Sequence, residues 1–167
     1  MDSSIEVREE GTVVAFSFQD MLRYSGPGSP GGVALGYKVL EQAFALLEPG
    51  GSVERRQVVV RTAFRGPGAR DACELVTRSL TDGRYVVDPA LERPERGETL
   101  QTFAFSVSYR GKSVALWLRE GFVSDEFVRL ARSSDLTDDE QQRFAEMKRA
   151  LADRLMATEA VDIFEVQ

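Results

Sequence analysis

The chain has 167 residues, with 21 lysines and arginines, 27 aspartates and glutamates, no histidine and a formal net charge of −6. Its composition is that of one ordinary globular domain, and the acidic balance argues against nucleic acid as the main partner, since phosphate binding needs a basic face. Without histidine the commonest general base and transition-metal ligand are missing, which excludes serine–histidine and cysteine–histidine catalysis within one chain.

No apolar run approaches the roughly 20 residues of a membrane span. The N-terminal residues carry neither the basic nor the apolar region of a secretory leader. The single cysteine, Cys73, cannot form an internal disulfide, so a cytoplasmic location is expected. No metal and no cofactor are expected, because one cysteine is too few for a zinc site and no acidic loop has the calcium-binding pattern.

In chain order, residues 5–16 alternate loosely around Glu10 and Gly11 and read as a short hairpin or leading strand. Ser17 followed by Asp20 resembles an N-cap with an acidic third residue, which predicts one or two helical turns. Residues 24–37 then form a stretch rich in glycine and proline. A helix is expected over 32–47, where Val33, Tyr37, Leu40, Phe44 and Leu47 recur at helical spacing. A glycine-rich loop that opens a helix presents free backbone N–H groups and the positive end of the helix dipole, which suits an anion or a polar ligand. A merely tight turn explains the same local features equally well.

Residues 57–64, with three consecutive valines, read as a strand covered on both faces. A second glycine loop at 65–68 leads to a helix over 69–80, whose apolar stripe places Cys73 in the core. Residues 88–97 read as an exposed connection. The clearest hairpin pairs 101–109 with 114–118, and Trp117 falls on the face opposite the leucines. Gly111, Lys112 and Ser113 occupy its turn and lack the earlier glycine of a phosphate loop, where Ser106 stands instead. Ser124 opens a short helix to about 132. Thr137 with Glu140 makes a capping box for a longer one, striped by Phe144, Met147, Leu151, Leu155 and Met156. The apolar C-terminal segment 160–166 is expected to dock onto the sheet or onto another copy of the chain.

The first glycine stretch resembles the signature of the FmdE family of formylmethanofuran dehydrogenase components, an aromatic-His-Gly-His-x-Cys-Pro-Gly run followed by Leu-Gly-Tyr. Tyr24, Gly26, Pro30 and Gly31 match in kind, as do Leu35, Gly36 and Tyr37 after one extra residue. The ligand types differ: Ser25 and Pro27 stand for the two histidines and Ser29 for the cysteine. The second unit is similar to the family's Cys-x-x-Asp-Ala and Thr-Gly-Cys-Thr segments. Asp71, Ala72, Thr77 and Gly83 agree there, while Gly68 and Ser79 replace cysteines. The likeness extends from about 18 to 119 and describes a member that has given up its metal ligands.

The expected fold is α+β, a single domain over 1–167 with a largely antiparallel or mixed sheet flanked by helices. Its core is placed at about 17–120 and a C-terminal helical segment at about 124–167. The resemblance implies that the two glycine loops meet to form one site, that the protein is a homodimer, and that its setting is one-carbon metabolism. Trp117 and the Ile163–Phe164 tail, both needing cover, point to the dimer as well. The expected site gathers Tyr24, Ser25, Gly26, Ser29, Gly68, Arg70, Asp71 and Ser79 in a polar pocket, with Tyr24 as a wall. Two functions remain open at this point. One is a binding or accessory module for a small polar or anionic ligand, with Arg65 or Arg70 as counter-charge. The other is a metal-independent enzyme using Asp71 as acid or base, supported by Tyr24, Tyr37 or Tyr85.

Overall fold

The computed structural model describes residues 3–167. Met1 and Asp2, which begin the segment read for a leader, lie outside the described residues. The fold is α+β, with five α-helices and two sheets among the described residues, where the sequence suggests one sheet. The smaller sheet holds β1 (Ser4–Glu9), β2 (Thr12–Ser17) and β3 (Val53–Glu54) in the order β2-β1-β3. The hairpin β1–β2 pairs in full register from Ser4 opposite Ser17 to Glu9 opposite Thr12. Its inner residues Ile5 and Val7 are buried, so the core begins well before residue 17.

The larger sheet contains β4 (Val58–Thr62), β5 (Tyr85–Val87), β6 (Ala104–Tyr109), β7 (Lys112–Leu118) and β8 (Phe164–Val166), in the order β5-β4-β6-β7-β8. Among the pairs of this larger sheet, β4–β5 is parallel and the others are antiparallel. Register brings Val60 opposite Val107 and Val107 opposite Val114, and likewise Thr62, Phe105 and Leu116, so one face of these strands is largely apolar. The other face carries Arg61, exposed, and Ser106 and Ser108, half-buried, so β4 is covered on one side and only partly on the other. That face is finished by a hydrogen bond of 2.7 Å between the Ser108 and Ser113 hydroxyls.

Five helices complete the fold. They are α1 (Phe18–Ser25), α2 (Pro30–Leu47), α3 (Pro67–Thr77), α4 (Asp125–Arg132) and α5 (Asp138–Met156). The 18-residue α2 is buried nearly all round, from Gly31 to Leu47, because it lies between α3 and α5 and on β6 and β7. Helix surfaces this close require small residues, and α2 supplies them. A side chain on Gly31 would touch Leu151 of α5, and one on Gly36 would come within 2.7 Å of the Ala72 methyl of α3.

The segment after α5 returns to the sheet. Leu118 pairs with Phe164, and Ile163 and Phe164 are buried by their own chain. Trp117 is also covered from within, by the Arg93 and Arg96 guanidiniums, 4.9 and 5.9 Å from its ring centre. Neither feature therefore needs a partner chain. One continuous apolar core runs from Ile5 to Phe164 and includes Leu151 and Leu155 of α5, so the C-terminal segment belongs to it. No helix among the described residues is long and apolar enough to cross a membrane.

Candidate functional site

Each helix start reflects its sequence. Ser17 and Asp20 close a capping box on α1, with the Asp20 N–H donating to Ser17 Oγ at 3.1 Å and the Ser17 N–H to Asp20 Oδ2 at 2.9 Å. Thr137 and Glu140 do the same for α5, and Ser124 Oγ accepts from the Phe127 N–H on α4. Acidic residues occupy the first turn of all three helices. The starts of α2 and α3 differ. Ser29 makes no side-chain cap, Gly66 has none to offer, a proline follows each, and neither first turn holds an acid.

These two starts touch. A Cβ on Gly68 would lie 2.6 Å from the Ser29 carbonyl oxygen and 2.6 Å from the Val33 nitrogen, and a Cβ on Gly32 would lie 3.2 Å from the Gly68 Cα. The glycine pattern is thus largely a packing requirement. Within the first loop only Gly26 has positive φ, 84°, where it caps α1 and donates to the Leu22 carbonyl at 2.8 Å. Gly68, read as part of a loop, lies inside α3 and is buried.

Beside this contact is a cavity of 480 Å³. Ser29 and Gly32 contribute from the start of α2, and Arg65, Gly66, Pro67 and Gly68 from the start of α3. Phe64 and Phe103 extend from the sheet end, their rings stacked with centres 4.9 Å apart. Gly66 permits this, since a Cβ there would meet the Phe64 ring at 2.4 Å. The far wall is Phe127, Val128, Ala131 and Arg132 of α4, with Phe144 and Lys148 of α5. Phe127 meets Phe144 edge to face at 5.3 Å, and the ion pair of Arg143 with Glu126 fastens α4 to α5. Lys148 Nζ donates to the Gly28 carbonyl at 2.8 Å, tying α5 to the first glycine loop. Burial pulls its ammonium pKa below the ordinary value.

The expected site therefore divides. Ser29 and Gly68 line the cavity. Ser25 and Asp71 do come together, Ser25 Oγ donating to Asp71 Oδ2 at 2.9 Å, and Arg70 donates to the other carboxylate oxygen at 3.3 Å. Asp71 is not on the cavity wall. Tyr24 is half exposed on α1 and is no wall of it, and Gly26 borders a separate groove between α1 and α5. Ser79 lies beyond the opposite end of α3, fully buried, where its hydroxyl accepts from Thr77 Oγ1 at 2.8 Å. It holds the turn after the helix and does not join the others.

The tyrosines also separate. Tyr37 is hydrogen-bonded to Ser3 at 2.8 Å and anchors the N-terminal strand. Burial pushes the Tyr85 phenol far above its ordinary range. Its hydroxyl is buried without a hydrogen-bond partner among the described residues. Such a phenol stays protonated at neutral pH. Cys73 is buried, and desolvation pushes its thiol up to about 12, which makes it inert.

The far end of α3 is electrostatically closed. Arg55 donates to the Val76 and Leu75 carbonyls at 2.9 and 2.6 Å, and Arg84 donates to the Thr77 carbonyl at 2.9 Å. Cations thus sit on its negative end, while its positive end faces the cavity. Sequence reasoning found Arg65, Ser29 and Gly68 but missed the four phenylalanines, Arg132 and Lys148. Phe144 was visible only as part of a helix stripe, and nothing in the linear pattern brings it beside Phe64. Among the described residues no three histidine, cysteine, aspartate or glutamate side chains gather as they would around a metal ion. No family model matches the chain, and no curated protein matches it.

Proposed function

We propose that this protein is a small-molecule-binding module, working without a transition metal, whose ligand occupies the cavity where α2 and α3 begin. The observation that carries this reading is the 480 Å³ space itself, walled by four phenylalanines at the meeting of two uncapped helix starts. Its size falls within the roughly 300–1,000 Å³ of small-ligand pockets, which are mostly apolar with a few placed polar groups. Likeness to the FmdE family remains part of the proposal, on the residues that match its signature, as does a cytoplasmic setting. A homodimer, which that likeness implies, would use surfaces other than Trp117 and the C-terminal tail. An enzyme built on Asp71 is less well supported, because Ser25 and Arg70 engage the carboxylate away from the cavity.

Titration with the fluorescent probe anilinonaphthalene sulfonate tests the reading. Saturable binding of one probe per chain is expected. Ser29→Trp and Ala131→Trp, each filling the cavity from a different wall, should weaken it at least about tenfold while thermal unfolding stays cooperative. Undiminished binding in both variants would place the ligand elsewhere.

A further inference from the structure

The cavity wall has a charge pattern opposite to that of the whole molecule. The chain is acidic, with a net charge of −6, yet among the described residues the wall carries Arg65, Arg132 and Lys148 and no carboxylate. None of the three is in an ion pair among the described residues, although neighbours such as Arg129 and Arg143 are paired with Glu140 and Glu126. Arg132 makes one long contact, 3.4 Å, to the Glu98 carbonyl, and Lys148 donates to that of Gly28. Cations beside an apolar space in an acidic protein are placed against the general trend. Arg65 and Arg132 are exposed at the mouth of the cavity, four phenylalanines line it further in, and an inorganic anion would leave their apolar surface in water. A neutral apolar ligand would leave the cations unused.

Resting on the reading of the cavity as the ligand site, we infer that it takes an amphipathic carboxylate, an aryl or medium-chain acyl acid. The carboxylate is met by the Arg65 and Arg132 guanidiniums, whose planar forks suit it, with Lys148 adding charge. The apolar body lies among Phe64, Phe103, Phe127 and Phe144. The free N–H groups at the starts of α2 and α3 add to the same positive field.

Isothermal titration of the full chain with decanoate and with decanol, both kept below their micellar range, separates the head-group contribution from the tail. Decanoate should bind at least about tenfold more tightly than decanol. The double variant Arg65→Gln/Arg132→Gln should lose about that factor for decanoate and keep decanol within about twofold. Decanol binding as tightly as decanoate, or a double variant unchanged toward decanoate, would overturn the ligand class while leaving the cavity as the binding site. Saturable binding of neither compound would overturn both.

Discussion

Gly68 shows how a residue chosen for packing resembles one chosen for a ligand. Both uses need a missing side chain, and a linear sequence does not tell them apart. The contact decides: backbone atoms of Ser29, Gly32 and Val33 occupy the space a Cβ would take, and backbone moves only with its helix. Gly68→Ala should therefore destabilise the domain by about 2–3 kcal/mol, as overpacking does. Gly28→Ala, with nothing near its Cβ and no positive φ, should stay within about 0.5 kcal/mol. Urea unfolding of the two variants checks this, and equal midpoints would contradict the close α2–α3 contact. The meeting of Ser25 with Asp71 was expected from the sequence, and the hydrogen bond between them shows that contact. Ser79 was not legible as a core hydroxyl, because its partner Thr77 is visible only once the turn after α3 is formed.

At the scale of elements, the sequence was most informative where a single side chain fixes a boundary. Ser17, Ser124 and Thr137 each start a helix where their capping pattern puts it. Short strands escaped: β3 has two residues and β5 three, too few to show a period of two, and each is held by a parallel partner distant in sequence. Glu74 belongs to this scale because it fastens the end of α3 to the turn that leads into β5. Burial opposes its charge, but the Thr81 hydroxyl and N–H, the Leu80 N–H and the nearby Arg78 outweigh this, and its pKa lies below the ordinary 4.5. A carboxylate depressed in the folded state contributes stability above its unfolded pKa and loses it as pH falls through the folded value. Glu74→Gln should therefore lower stability at pH 7 and lose less of it than the parent between about pH 4.5 and the acid unfolding limb. Chemical denaturation across that range tests it, and parallel stability curves would show that Glu74 contributes nothing pH-dependent.

Over the whole molecule, the arrangement follows from one buried helix. α2 holds α3 on one side and α5 on the other, and the sheet closes the core beneath it. Because α2 and α3 begin at the same edge, the positive ends of both helices lie there, and α4, held to α5 by Phe127 and by the ion pair of Glu126 with Arg143, walls the space in front of them. The α+β class was legible from periodicity alone. The cavity was not, since its walls come from separated parts of the chain that only the folded arrangement of α2, α3, α4, α5 and the sheet end brings together. The most direct test of the account is an amide NMR titration with decanoate on the isotope-labelled protein. The largest saturable shifts are expected at Gly32, Gly66, Gly68 and Phe127, with the sheet face around Ser106 and Ser108 unmoved. Saturable shifts centred on Ser25 and Asp71, or no saturable shift at the α2 and α3 starts, would contradict the assignment of the cavity as the ligand site.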